Sequence, residues 1–355
     1  MRHFTSFMAA GALITGILST GLTSCQPENC TLCGNGEQPS SLTLSLEPVV
    51  TRSTSAQSVD QDNSINTLDV FIFRCGDPDS PDYHRLDTYK RFEGDALNDL
   101  TLSTTTGAKL ICVIANSNIS TYAGITSLDA FRSLTTLLKD ETLGDFTMYG
   151  ETEETLGVTS SVAITVSRLI SRICVTSVKT GFAGSPYAGM SLTDCRLFLV
   201  NAHGEKHIHD GSSSAVPLIL NSGGLVGEDV NSTAEAGLLM DNITEAIGET
   251  GYTVPHYFYT FSNETGETAS ATKLVLQADL DGVTYYYPIP VNQEGYGYLS
   301  DNGHYGIRSN SVYSYGITVT RPGSLDPDTP LVPGTLELSI TVEGWDVIPH
   351  FDKVF

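Results

Sequence analysis

Two short segments near opposite ends of this chain carry one pattern. Leu42-Thr43-Leu44-Ser45-Leu46 and Leu336-Glu337-Leu338-Ser339-Ile340 both alternate apolar and polar residues. A two-residue period puts every second side chain on one face, as in a half-buried β-strand. Two strands of one pattern compete for one kind of groove, and an arginine, Arg52, stands just after the first of them.

The 355 residues suffice for two domains of ordinary size once a leader is set aside. The composition is that of a folded protein, 40% apolar and 17% charged, with 33 Gly and 15 Pro to supply turns. Forty-one acidic against 18 basic residues give a formal charge of -23. Such a surface favours solubility and argues against nucleic acid as a partner, since phosphate backbones are bound by basic grooves.

Arg2 and the apolar run from Phe4 to Leu22 lead into Leu22-Thr23-Ser24-Cys25. Small residues followed by Cys read as a lipoprotein signal peptide over residues 1–24, with Cys25 acylated as the first mature residue. Gly11, Gly16 and Gly21 interrupt the run and no cluster of basic residues follows it, which disfavours a membrane span. Cys30 and Cys33 lie in a polar tether, without the strand–helix context of a redox pair and without the second pair a structural zinc site needs. Cys75, Cys112, Cys174 and Cys195 fall in or beside expected strands, where they read as small buried apolar side chains.

The first strand is expected over residues 41–50. It runs into Arg52-Ser53 and then a stretch of Ser, Thr, Gln, Asp and Asn to residue 64, the kind of exposed loop that proteases nick. Residues 25–52 are therefore a lipidated tether and a removable first strand. Strands follow at 68–73, 110–115 and 162–167. Between them, Leu128, Phe131, Leu134, Leu137 and Leu138 fall on one helical face, which predicts a helix from an N-cap at Ser127 to about Lys139. A domain boundary near residue 170 separates a first domain, 53–170, from a second, 171–320. The second has strands at 173–176, 196–200, 255–261, 273–280, 283–290 and 312–320. Short strands with turns between them indicate sandwiches. Residues 321–334 hold four prolines and read as an extended linker reaching a few tens of ångströms. Two more alternating strands close the chain over 335–355. Leu336, Leu338, Ile340 and Val342 share one parity, as do Trp345, Val347, Phe351 and Phe355.

His203, Glu205, His207, His209 and Asp210 are of types that bind metals, but their spacing matches no helical metalloprotease pair, and a solvated polar turn is the expectation. No phosphate loop, nucleophile elbow or spaced carboxylate pair is present, so neither a catalytic residue nor a cofactor is assigned. Tyr285-Tyr286-Tyr287 reads as strand packing.

Several motifs in this order resemble the type V pilins of Bacteroidales, the fimbrillin family of major and minor fimbrillins. They are the lipobox at Cys25, Thr51-Arg52-Ser53, and Ser64 to Phe73 opening the first domain. Further along come Lys109 to Asn116, Ser167 to Arg172, Arg308 to Tyr313, the Pro-Gly-Ser and Asp-Pro linker, and the terminal Gly344-Trp345-Asp346-Val347. The resemblance implies an all-β protein of two transthyretin-like Greek-key β-sandwich domains with one short helix, plus C-terminal donor strands. It implies export as an outer-membrane lipoprotein and a place in a cell-surface fimbrium that supports adhesion. A processing protease would cut between Arg52 and Ser53, displacing the strand of Leu42, Leu44 and Leu46. Lys90 and Arg91 are alternative basic sites. Residues Leu336 to Phe355 of a neighbour would fill the groove, with other fimbrial subunits as partners. A donor tail points to a stalk subunit. The alternatives are an untrimmed lipid-anchored accessory or adhesin subunit and, more remotely, a metal-dependent surface enzyme.

Overall fold

The computed structural model describes residues 36–48, 64–209, 218–227, 230, 236–294, 296, 304–331 and 336–344. Residues from Gln38 onward form one compact unit. Cys25, Cys30, Cys33, Arg52, Ser53, Trp345, Val347, Phe351 and Phe355 lie outside the described residues.

Residues 39–168 supply β1 (Pro39–Pro48), β2 (Thr67–Arg74), β3 (Leu86–Glu93), β4 (Thr101–Thr105), β5 (Gly107–Ala115), β6 (Thr135–Leu137), β7 (Met148–Leu156) and β8 (Thr159–Arg168). Seven of these make one sheet in the order β3-β2-β5-β7-β8-β1-β4. At the β7–β8 corner only Met148 with Arg168 and Tyr149 with Ser167 pair. The sheet folds there into two layers, β3-β2-β5-β7 facing β8-β1-β4. Leu68, Val70, Ile72, Ile111 and Val113 of one layer enclose a core with Leu42, Leu44, Leu102, Val162, Ile164 and Val166 of the other.

The unbroken apolar runs of β2 and β5 have a physical reason: both faces are covered. Phe71, Phe73, Leu110, Cys112 and Ile114 point away from this core and into a second, larger one, where Leu128 and Phe131 of α1 (Leu128–Arg132) cover them.

That helix is shorter than predicted. Ser127 does cap it, its Oγ accepting from the Ala130 amide at 3.3 Å. After Ser133, however, the β-branched Thr135 and Thr136 enter β6. This strand pairs with β12 (Glu205–His207), and a 3-10 turn over Leu138–Asp140 follows. Leu128, Phe131 and Leu138 are all buried, but the last reaches the core from a turn, so helical spacing arose from two separate elements.

The other strands are β9 (Ile170–Thr180), β10 (Thr193–Val200), β11 (Ala202–His203), β13 (Ile219–Leu220), β14 (Met240–Ile243), β15 (His256–Phe261), β16 (Lys273–Leu280), β17 (Val283–Pro290), β18 (Ser311–Val319) and β19 (Leu336–Gly344). They form a four-stranded sheet, β14-β10-β16-β17, and a six-stranded one, β13-β11-β15-β9-β18-β19. The two halves repeat one connectivity. β1 is parallel to β8 and antiparallel to β4, and β9 is parallel to β18 and antiparallel to β15. The opposite layer, β3-β2-β5-β7, matches β14-β10-β16-β17 in order and in antiparallel sense. β19 has no counterpart in the first half.

The prolines of residues 321–331 do not make a free linker. Ser324 exchanges two backbone hydrogen bonds with Tyr286 of β17, at 2.8 and 2.9 Å. Lys273 donates from Nζ to the Asp328 carboxylate at 2.6 Å. The reach of the terminal segment therefore starts near Leu331, not at residue 321.

Candidate functional site

β1 is an inner strand of its layer. Its register runs from Ser41 opposite Thr159 to Pro48 opposite Val166 on β8, and from Pro39 opposite Thr105 to Thr43 opposite Thr101 on β4. Leu42 and Leu44 are buried and Leu46 is half-buried. The polar partners in the alternation face outward, except Ser40, whose buried hydroxyl donates to the Gly157 carbonyl at 2.6 Å. Backbone groups are matched at the entry end as well. Gln38 donates to Thr106 Oγ1, the Thr106 amide returns a bond to the Gln38 carbonyl, and the Ser41 amide donates to the Val158 carbonyl at 2.9 Å. Pro48, which has no amide proton, is the last residue of the strand.

Without β1, the strands β8 and β4 would stand one strand-width apart over an open core, and β4 would have no ladder. β4 is nevertheless tied to β3 by side chains. Lys90 Nζ donates to the Thr101 carbonyl at 2.7 Å and Thr88 Oγ1 to the Ser103 carbonyl at 3.2 Å. Asp87 accepts from Thr104 Oγ1 and from the Thr105 amide. Burial pushes the Asp87 carboxyl up, but the Thr104 hydroxyl, the Lys109 charge and the Thr105 bonds outweigh it and hold the group below its ordinary value. Fully buried Lys109 lies 3.6 Å from that carboxylate. Asp87, Thr88, Lys90 and Lys109 are thus the residues that keep the β4 wall of the slot standing, while β8 is held by its pairing with β7. The alternating pattern of the sequence does not single them out.

The second segment of the pair occupies a different position. β19 pairs antiparallel with β18 of its own chain, Leu336 opposite Val319 through Gly344 opposite Ser311. Leu336, Leu338, Ile340 and Val342 lie in it. β19 is the edge strand of the six-stranded sheet. β1 is held on two sides and β19 on one.

The histidine stretch does not converge. His203 Nδ1 meets the Ser262 carbonyl at 2.8 Å, and burial lowers its pKa. His209 stands 3.7 Å from Glu151, and Asp210 is outside the described residues. Among the described residues no group of three or more His, Cys, Asp or Glu could hold a metal ion. Cys112, Cys174 and Cys195 are buried thiols, and Cys75 is half-buried. Burial pushes Cys112 and Cys195 up to about 12 and Cys174 up to about 11, so none is a ready nucleophile. Lys90 and Arg91 sit inside β3, and Arg91 forms a double hydrogen bond with Asp69. No helix among the described residues is long and apolar enough to cross a membrane.

The fold is that of a mainly β protein of repeated sandwiches, in which β1 fills an inner slot and a strand of similar sequence lies on an edge. The family profile described as "Major fimbrial subunit protein (FimA)" matches residues 40–221, just over half of the chain, and the chain belongs to that family. Solved structures share the fold. A putative cell adhesion protein from Bacteroides eggerthii is 19% identical with a TM-score of 0.64, over 88% of this chain and 98% of that one. The fimbrilin (FimA) of Porphyromonas gingivalis is 17% identical with a TM-score of 0.63, over 88% and 99%. A putative cell adhesion protein from Parabacteroides distasonis is 17% identical at 0.61, over 88% and 98%. No curated protein sequence matches the chain.

Proposed function

We propose that this fimbrial subunit is a stalk pilin that polymerises by strand exchange. It is exported as a lipoprotein acylated at Cys25, held in the outer membrane until a protease cuts between Arg52 and Ser53, and then assembled with further subunits into a surface fimbrium that supports adhesion. The observation that carries this reading is the inner position of β1 between two strands whose other supports do not include it. Loss of buried Leu42 and Leu44 and half-buried Leu46 removes roughly 4–8 kcal/mol of apolar burial. It also leaves unpaired edges on β8 and β4 that favour capture of another strand. Leu336, Leu338, Ile340 and Val342 supply the same alternation, and a second apolar set of the opposite parity, Trp345, Val347, Phe351 and Phe355, follows them. Before cutting, the covalently attached β1 holds the slot at high effective concentration, so the cut is the switch. A cut at Lys90 or Arg91 would sever β3 and its closure of β4.

The test is protease treatment of purified precursor, followed by unboiled gels and electron microscopy. Ladders and filaments that begin at Ser53 are the expected result. Trimmed protein that remains a compact monomer at high concentration with its tail intact would overturn the reading. Surface material that retains an acylated Cys25 would assign the chain to an anchor or accessory role.

A further inference from the structure

The segment after β18 is fastened to the second half up to Leu331. Besides the Ser324–Tyr286 bonds, the Asp328 carboxylate accepts from Lys273, whose side chain is 1% exposed, and from Asn201 Nδ2 at 3.3 Å. Leu331 is buried, and its carbonyl accepts from Tyr296 Oη at 2.6 Å. Four residues lie between Leu331 and Leu336, and the five steps span at most about 18 Å when fully extended.

The first strand and the tail agree in one register. Pro39-Ser40-Ser41-Leu42-Thr43-Leu44-Ser45-Leu46 aligns without gaps with Pro333-Gly334-Thr335-Leu336-Glu337-Leu338-Ser339-Ile340. Proline, two leucines and a serine coincide, Thr335 answers Ser41 and Ile340 answers Leu46. In that register Leu336 of one copy takes the Leu42 position of the next, at the end of the slot where Val158 accepts from the neighbouring amide. The fastened Leu331 of the donor then lies within about 18 Å of the acceptor's Leu42 position, on the strand next to the Val158 turn.

Resting on the proposed exchange, we infer that a second contact accompanies it: the face of residues 325–331 of one copy docks on the Gly157–Val158 turn of the next. Both surfaces present an apolar side chain to solvent. Leu325 is 73% exposed and Val158 61%, the two highest values among the exposed large hydrophobic residues described. Docking covers both, and the short span between anchor and donor strand keeps the two surfaces near one another.

Two double-cysteine variants test this in trimmed full-tail protein with Cys75→Ser. Glu337→Cys with Thr101→Cys reports the strand register, because Glu337 replaces Thr43, which faces Thr101. Thr329→Cys with Val158→Cys, joined by a short bismaleimide, reports the docking contact. Covalent ladders on boiled gels are expected from both, and from neither in uncut precursor. A ladder from the strand pair alone refutes the docking contact and leaves strand exchange standing. A ladder from Ser339→Cys with Thr101→Cys in place of Glu337 refutes the register and the span argument built on it. No ladder from any strand pair refutes the exchange itself.

Discussion

Asp69 is fully buried on β2, where the sequence shows only one polar residue in an apolar run. It accepts from Arg91 Nε and Nη2 and from Tyr89 Oη, each at 2.8 Å. Asp69→Ala strands a guanidinium that is about a quarter exposed, so a loss of roughly 2–3 kcal/mol is expected, below the range for fully buried pairs. The urea midpoint checks this. Glu141 is the opposite case, a buried carboxyl whose hydrogen bonds come from uncharged groups of the described residues. Burial pushes it from an ordinary value of 4.5 to about 7, against the bonds donated by the Thr147 amide and Thr136 Oγ1. Between those values the unfolded chain is ionised while the folded protein keeps its proton. The contribution of Glu141 to stability therefore falls as pH rises from about 4.5 to 7, by on the order of 3 kcal/mol. Glu141→Gln removes that term, so the melting temperature of the variant should fall less than that of the parent between pH 5 and pH 8. Equal slopes would contradict the assignment.

The strands that the sequence made legible are those whose apolar alternation or apolar run faces a core. β1, β2, β5, β16, β17 and β18 are of this kind, and β16 and β17 fall on residues 273–280 and 283–290 as predicted. β3 and β4 were not legible, since Phe92 is the one buried residue of Leu86–Glu93 and Leu102 the one apolar residue of Thr101–Thr105. β7 escaped for a similar reason: Glu151, Glu153 and Glu154 occupy its outer end. The slot closure was invisible because it depends on Asp87 meeting Thr104, 17 residues away, through a fold that no local pattern records. Its consequence is measurable. Asp87→Ala in trimmed protein should raise hydrogen exchange across Thr101–Thr105 and slow assembly, while in uncut precursor β1 still holds β4 and the exchange rate changes little. Equal effects in both forms would show that Asp87 does not act on the empty slot.

At the scale of the whole molecule, a copy that ends at Leu331 keeps the slot and its mouth but offers no strand. Mixed with trimmed full-tail protein, it should accept a tail and pass none on, so mean filament length in micrographs falls as its share rises. Unchanged lengths would mean that growth does not depend on the tail. The repeated connectivity of the two halves adds a restriction. β9 sits in the second half as β1 sits in the first, yet it is joined by chain at both ends, to β8 before it and to β10 after it. Proteolysis near a terminus can empty the first position and never the second. Under the proposed exchange each copy would have a valence of two, one receptive and one donating, and the product would be an unbranched, polar thread whose two tips are chemically unlike.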